Sequence, residues 1–367
     1  MFVEKNTEDR LWEDSVILLK QKGIDISVVT LWGRGILHDK LKTYGIPAFS
    51  LDAKTSVDYP GATVKLARLL RKEKFDLVKS CECIPATIGG IAGMWAPQGV
   101  RVFLRGHMKP ENPGAWKQGF FSQIGSWTNH FVIACSEATK VAAQDLDGVP
   151  EHRVMVALLG IKKLRDVPSE ELVEIRQRLG IPDNALIISM VSRLRTIKGH
   201  RTLFDSAEIL SSRIDRPIHL VIVGDGTDAN LIVKDSERVK AATVHFVGDQ
   251  ADVAPWFAVG DMVAMPSYRE PFGLAAVEAM MSGKPLIASR VGGLTEIITD
   301  GVDGLLVEPD DAEALATAFI RISENPEFAA GLAHHARSTA EKKFTIEKTV
   351  DRWIDCYRCI VKSNVQI

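Results

Sequence analysis

Across 367 residues, short β-rich apolar runs alternate with longer stretches of helical period, and that alternation leaves few folds open. Strand-like runs fall at residues 26–30, 77–80, 100–104, 131–134, 187–191, 219–223, 244–246, 262–265, 286–288 and 304–307. Helical periods lie between them, at 11–22, 64–74, 201–211 and 273–281, and residues 345–361 read as a last helix. The pattern predicts an α/β protein with doubly wound parallel sheets, in which ligands bind beyond the carboxyl ends of the strands. A single core stops growing at roughly 250–300 residues, so two domains are expected. The aperiodic stretch 160–168, Gly-Ile-Lys-Lys-Leu-Arg-Asp-Val-Pro, places the boundary between Leu159 and Ser169, giving domains 1–165 and 166–345. The chain start is unusual. Only Met1–Lys5 can serve as a first strand, and Asn6-Thr7 stands where a glycine turn is expected. Either the domain opens on a very short strand or Met1 is not the natural start.

Composition narrows the function classes. A net charge of −2 gives no basic field for nucleic acid. No apolar run reaches the roughly 20 residues of a membrane span, and the N-terminus lacks the apolar core of a signal peptide. Five cysteines in a long chain read as free thiols in a reducing cytoplasm. Cys81-x-Cys83 and Cys356-x-x-Cys359 read as small core residues, since a structural zinc needs four ligands brought together. The basic amphipathic helix 64–74 reads as a solvated cationic face, with contact to anionic lipid as the other reading.

Three segments carry chemistry. In Pro266-Ser-Tyr-Arg-Glu270-Pro-Phe272-Gly273-Leu274-Ala-Ala-Val-Glu278, a strand runs through a turn into a helix near Gly273. The first helical amides make an anion site, and Gly273 lets a phosphate approach the backbone. Glu270 and Glu278 are carboxylates suited to vicinal hydroxyls of a ribose or hexose. Ser192-Arg193-Leu-Arg195-Thr-Ile-Lys198-Gly-His200 follows the strand 187–191, and two cations there can converge on a diphosphate. Gly224-Asp225-Gly226 lacks the third glycine of a dinucleotide fingerprint, so close backbone passage beside a nucleotide is the milder reading. His107 ends a strand in Phe103-Leu-Arg-Gly-His.

The Glu270-to-Glu278 segment resembles the Glu-x7-Glu signature of the family 4 retaining glycosyltransferases, which have the GT-B fold of two Rossmann-like domains facing each other across a cleft. The resemblance implies that Glu270 contacts donor-sugar hydroxyls, Glu278 binds the ribose, and the amides around Phe272, Gly273 and Leu274 receive the sugar-proximal phosphate. Arg193 and Lys198 would hold the diphosphate, while the family pattern does not require Arg195. Gly224 and Val247, the latter within His245-Phe-Val-Gly248, would lie against the nucleotide. His107 would sit beside the anomeric carbon, and Ser136-Glu137-Ala-Thr-Lys140 would line the same cleft. The final helix, 346–367, would return to complete the N-terminal domain and couple closure to donor binding.

The implied activity is retaining transfer from a nucleoside diphosphate sugar, UDP-sugar before GDP-mannose, to a glycan or lipid-linked acceptor in cell-envelope polysaccharide synthesis. No obligatory cofactor or metal is implied. Asp145-x-Asp147 mimics the metal motif of the other large glycosyltransferase fold, but it ends a helical stretch and reads as a solvated turn. Location would be cytoplasmic, with peripheral contact to the inner membrane face. Nothing in residues 109–123 names the acceptor. A catalytically impaired donor-binding subunit and a nucleotide-sugar epimerase of similar fold are the alternatives.

Overall fold

The computed structural model describes residues 2–4, 10–96, 99–108 and 116–364. Asn6-Thr7 and residues 109–115, on which two of the expectations above fall, lie outside them. The chain divides into two compact units, Met1–Lys162 with Ile346–Ile367, and Lys163–Thr345.

Among the described residues the first unit is built on seven parallel strands: β1 Phe2–Glu4, β2 Val28–Thr30, β3 Ala48–Ser50, β4 Leu77–Cys81, β5 Val100–Arg105, β6 Phe131–Ala134 and β7 Val154–Val156. Their order is β3-β2-β1-β4-β5-β6-β7, so the very short β1 holds the centre of the winding. The three-residue strands β3 and β7 at the two edges were absent from the sequence pattern, because such short runs carry little periodicity. One core cluster joins Val29, Leu31, Leu66, Leu70, Val78 and Ile88, and another joins Phe103, Val132, Ala134, Val149 and Val154. The helix Ile346–Asn364 belongs to this unit. It buries Trp353 completely, and that ring stacks on Trp12 at 5.7 Å.

The second unit carries six parallel strands: β8 Leu186–Val191, β9 Ile218–Val223, β10 Thr243–Phe246, β11 Met262–Met265, β12 Leu286–Ser289 and β13 Leu305–Val307. Every residue of β8, β9, β11 and β12 is buried, as expected for parallel strands covered on both faces, which explains their continuous apolar runs. The order β10-β9-β8-β11-β12-β13 makes the winding reverse between β8 and β11. That is the topological switch point, where the loops leaving two neighbouring strands part in opposite directions and open a crevice.

Two readings of the sequence change here. Cys81, Cys83, Cys135 and Cys356 are buried and unbridged, but Cys359 is exposed and is no core residue. Burial pushes the Cys356 thiol up to about 11. Asp147 is not in a solvated turn: it is only 4% exposed, paired with the buried Arg105, whereas Asp145 is exposed. The helix Trp116–Thr128 brings Ser122 and Ser126 over it, and that packing has no local sequence signal. No helix among the described residues is long and apolar enough to cross a membrane.

Candidate donor-binding site

The switch point of the second sheet organises the site. The loop after β8 carries Arg193 and Lys198, and the loop after β11 carries Glu270. The two loops are tied by Tyr268, whose amide donates to the Ile197 carbonyl at 2.8 Å. They are also pressed together at Gly199, where φ is +75° and a Cβ would collide with the Pro266 carbonyl oxygen. Glycine is required there on both counts. In this arrangement Lys198 Nζ donates to Glu270 Oε2 at 2.7 Å, with the two side chains only 14% and 9% exposed. Ser267 Oγ lies 3.4 Å from the same carboxylate oxygen. Arg193, on the same loop, is exposed.

Beyond Glu270 the chain turns through Pro271 and Phe272 into the helix Leu274–Met281. The Phe272 ring is buried and meets Phe344 edge-on at 6.2 Å, so it anchors the turn. Gly273 caps the helix at φ +111°. The Glu270 carbonyl accepts from the Gly293 amide at 2.9 Å, which fixes the turn against the Gly292-Gly293 segment. The Ala276 and Val277 amides donate back to the Gly273 carbonyl, while the Leu274 and Ala275 amides, as at any helix start, have no intrahelical acceptor. Glu278 is half-buried on the second turn of this helix.

Gly224 and Gly226 follow β9. A Cβ at Gly224, with φ +127°, would meet the Ser192 carbonyl, and one at Gly226 would meet that of Leu194. These glycines let the loops after β8 and β9 pack on each other. The Gly224 amide also donates to the Gly248 carbonyl at 2.8 Å, and the Val247 amide to Ile222 at 3.0 Å, which places half-buried Val247 beside this loop. Two further residues support the Lys198 loop. Asp228 accepts from the Thr196 amide at 2.8 Å and its hydroxyl at 3.1 Å, and the amide bond holds the carboxyl below its ordinary range. His200 is 1% exposed, and burial lowers its pKa to about 4. Neither was singled out from the sequence; the histidine two residues past Lys198 was the available signal.

In the first unit, His107 lies two residues beyond β5, and Cys83 two residues beyond the paired strand β4. Cys83 Sγ is 3.3 Å from His107 Nε2, and Ser122 Oγ is 3.0 Å from the same nitrogen. Burial, then the neighbouring Arg105 charge, lowers the His107 pKa to about 3, so the ring is neutral at physiological pH. Ser136 caps the helix Glu137–Asp147 through the Thr139 amide, and Lys140 pairs with Glu137 and Glu151. Structurally, then, Arg193, Lys198, Gly224, Val247, Glu270, Phe272, Gly273, Leu274 and Glu278 all belong to the second unit, and His107 to the first.

Two Rossmann-like units with wholly parallel sheets are the architecture of the GT-B glycosyltransferases, and solved glycosyltransferases of that fold superpose on the chain. Residues 14–162 match the family model described as Glycosyltransferase Family 4, and residues 173–341 match Glycosyl transferases group 1. The chain belongs to the family 4 glycosyltransferases. Among curated proteins it is 35% identical over 200 residues to a D-inositol 3-phosphate glycosyltransferase of Nocardioides sp., covering 50% of this chain and 43% of that protein. A protein of the same name from Corynebacterium urealyticum is 29% identical over 232 residues, covering 58% and 53%. The chain thus spans about half the length of these curated relatives. Among solved structures, Anabaena HepE in complex with UDP-glucose superposes with a TM-score of 0.82 at 23% identity, covering 98% of both chains. A glycosyltransferase from Rickettsia africae superposes at 0.79 with 20% identity, again over 98% of both.

Proposed function

We propose that this protein transfers a glycosyl group from a nucleoside diphosphate sugar to a hydroxyl of a glycan or lipid-linked acceptor, with the anomeric configuration retained. The observation that carries the reading is the meeting of Lys198, Glu270 and the Gly273-capped helix start at the switch point of the second sheet. A cation, a hydrogen-bond-accepting carboxylate and exposed helix amides are the groups a sugar diphosphate needs at one place. A UDP-sugar is favoured, since a protein of very similar fold was solved with UDP-glucose, and GDP-mannose ranks next.

In this reading Arg193 and Lys198 hold the diphosphate, with the Gly273 and Leu274 amides on the sugar-proximal phosphate. Glu270 accepts from sugar hydroxyls and Glu278 from the ribose. Gly224 and Val247 border the nucleotide through backbone groups, and His107 meets the sugar. Retention follows a front-face course: the acceptor oxygen bonds to the anomeric carbon as the carbon–phosphate oxygen bond breaks, and the acceptor proton passes to the departing phosphate. Negative charge growing on the diphosphate is met by the two cations and the helix start, with no obligatory metal in the scheme. The enzyme would work in the cytoplasm, with peripheral contact to the inner membrane face where a lipid-linked acceptor lies, and in cell-envelope polysaccharide synthesis.

Thermal-shift titration with UDP-, GDP- and ADP-sugars tests the donor class, and NMR of the anomeric signal in the product tests retention. Failure of every nucleotide sugar to raise the melting temperature would overturn the reading. Turnover that vanishes in EDTA and returns with a divalent ion would remove its metal-independent part.

A further inference from the structure

The buried Arg105–Asp147 pair has no part in the function proposed above, yet it leads directly to His107. Asp147 Oδ2 accepts from the Arg105 guanidinium, from Ser122 Oγ at 2.8 Å and from Ser126 Oγ at 2.7 Å. Ser122 Oγ has two more neighbours: Arg105 Nη1 at 2.8 Å and His107 Nε2 at 3.0 Å. Arg105 Nε also donates to the His107 carbonyl at 3.1 Å, which holds the backbone under the ring.

A serine hydroxyl has one hydrogen and two lone pairs, and all three are assigned by its partners. Its hydrogen goes to Asp147, because a carboxylate ion-paired with arginine can only accept. One lone pair takes the Arg105 hydrogen, because a guanidinium can only donate. The remaining lone pair faces His107 Nε2, so that nitrogen must carry a hydrogen. The reverse assignment would turn the Ser122 hydrogen away from Asp147 and set two buried acceptors 2.8 Å apart with no proton between them, which is costly. The ring is neutral at physiological pH, since burial lowers its pKa to about 3, and so Nδ1 is bare.

We infer that Asp147 and Ser122 are positioning residues that lock His107 as the Nε2–H tautomer and leave Nδ1 as a hydrogen-bond acceptor for a ligand hydroxyl. Cys83 Sγ lies 3.3 Å from Nε2 and 3.6 Å from Nδ1: sulfur is a weak second acceptor for the Nε2 hydrogen, and the thiol is at most a weak donor to Nδ1, which an alcohol displaces. The last step, that the ligand hydroxyl belongs to a sugar, rests on the function proposed above. The tautomer itself does not.

The experiment is a two-bond ¹H–¹⁵N correlation spectrum of the full chain labelled in its histidine rings, without substrate. The His107 signals are assigned among the nine histidines by their disappearance in His107→Gln or His107→Asn, whichever is folded. At pH 7 the wild-type ring should show the Nε2–H pattern, and it should keep it at pH 5. Ser122→Ala should convert it to a mixture of the two tautomers, and Ser122→Thr, which restores the hydroxyl, should restore the single pattern. A wild-type Nδ1–H pattern overturns the inference, as does an unchanged spectrum in Ser122→Ala. Since no substrate is present, a protein that shows the expected tautomer but binds no nucleotide sugar defeats the proposed function and leaves the tautomer assignment standing.

Discussion

Lys198 and Glu270 neutralise each other across the two switch-point loops, at 2.7 Å and with little solvent access. The two groups assigned to the diphosphate and to the sugar are therefore joined to each other, and a phosphate arriving at Lys198 must compete with Glu270 for it. Lys198→Ala should lower turnover by roughly 10²–10³, as loss of a preorganised charge-stabilising donor does. It should also destabilise the second unit by about 3–5 kcal/mol, because it strands a buried carboxylate. Adding Glu270→Gln should return most of the stability and none of the turnover. Urea denaturation and initial rates on the three proteins separate the two effects; full activity in the single variant would remove Lys198 from the chemistry.

The contact at Gly199 is as constrained as the ion pair it supports. Gly199→Ala should cost about 1–2 kcal/mol for a left-handed alanine and about 1–3 kcal/mol more for the collision with the Pro266 carbonyl. Gly180 provides the control: its φ of +65° is similar, but nothing lies within 4 Å of its Cβ position. Gly180→Ala should show only the backbone cost. Equal stability losses in the two variants would mean that the loops do not press on each other at Gly199.

Much of the fold was readable because buried parallel strands are written as unbroken apolar runs, as in Leu186–Val191 and Ile218–Val223. The edges were not, since Ala48–Ser50 and Val154–Val156 are too short to show a period. Residue types at the site were legible where loops leave strands, but their pairing was not. Lys198 and Glu270 are 72 residues apart, and only the adjacency of β8 and β11 brings them together. Asp147 was misread because burial of a helix-terminal carboxylate depends on what packs over it, here Ser122 and Ser126 one helical turn apart.

In the first unit, the fully buried Trp353 carries an unusual load. Lys79 Nζ, on β4, lies 3.0 Å from its ring centroid and 5.4 Å from that of Trp12, with Tyr357 at 5.9 Å. Trp353→Ala should cost roughly 3–5 kcal/mol, as large-to-small changes at aromatic core positions do. Part of that loss is the cation–π contact, worth about 2 kcal/mol when desolvated. Lys79→Met, which keeps length and removes the buried charge, should change stability by less than about 1.5 kcal/mol. In the Lys79→Met background the Trp353→Ala penalty should shrink by the cation–π share. A double-mutant cycle in urea, followed by far-UV circular dichroism, measures it; strict additivity would show that ring and cation are not coupled.

Acid should weaken the second unit before its carboxylates titrate. His200 is buried as the neutral ring, and its pKa is lowered to about 4, whereas in the unfolded chain it takes a proton near the ordinary 6.5. Between those values the unfolded state binds the extra proton, so stability falls as pH drops, by at most about 1.4 kcal/mol per pH unit. Above pH 6.5 the group has no effect. Asp228, in the same unit, is held below its ordinary range chiefly by the Thr196 amide, so its contribution is intact above that range and is lost only at lower pH. The window from 6.5 to 5 therefore belongs to histidine. His219 and His245, also lowered by burial, act in the same direction. His200→Gln should flatten the slope of unfolding free energy between pH 7 and pH 5, whatever it does to stability at pH 7. An unchanged slope in that variant would mean that His200 accepts its proton in the folded protein as readily as in the unfolded chain.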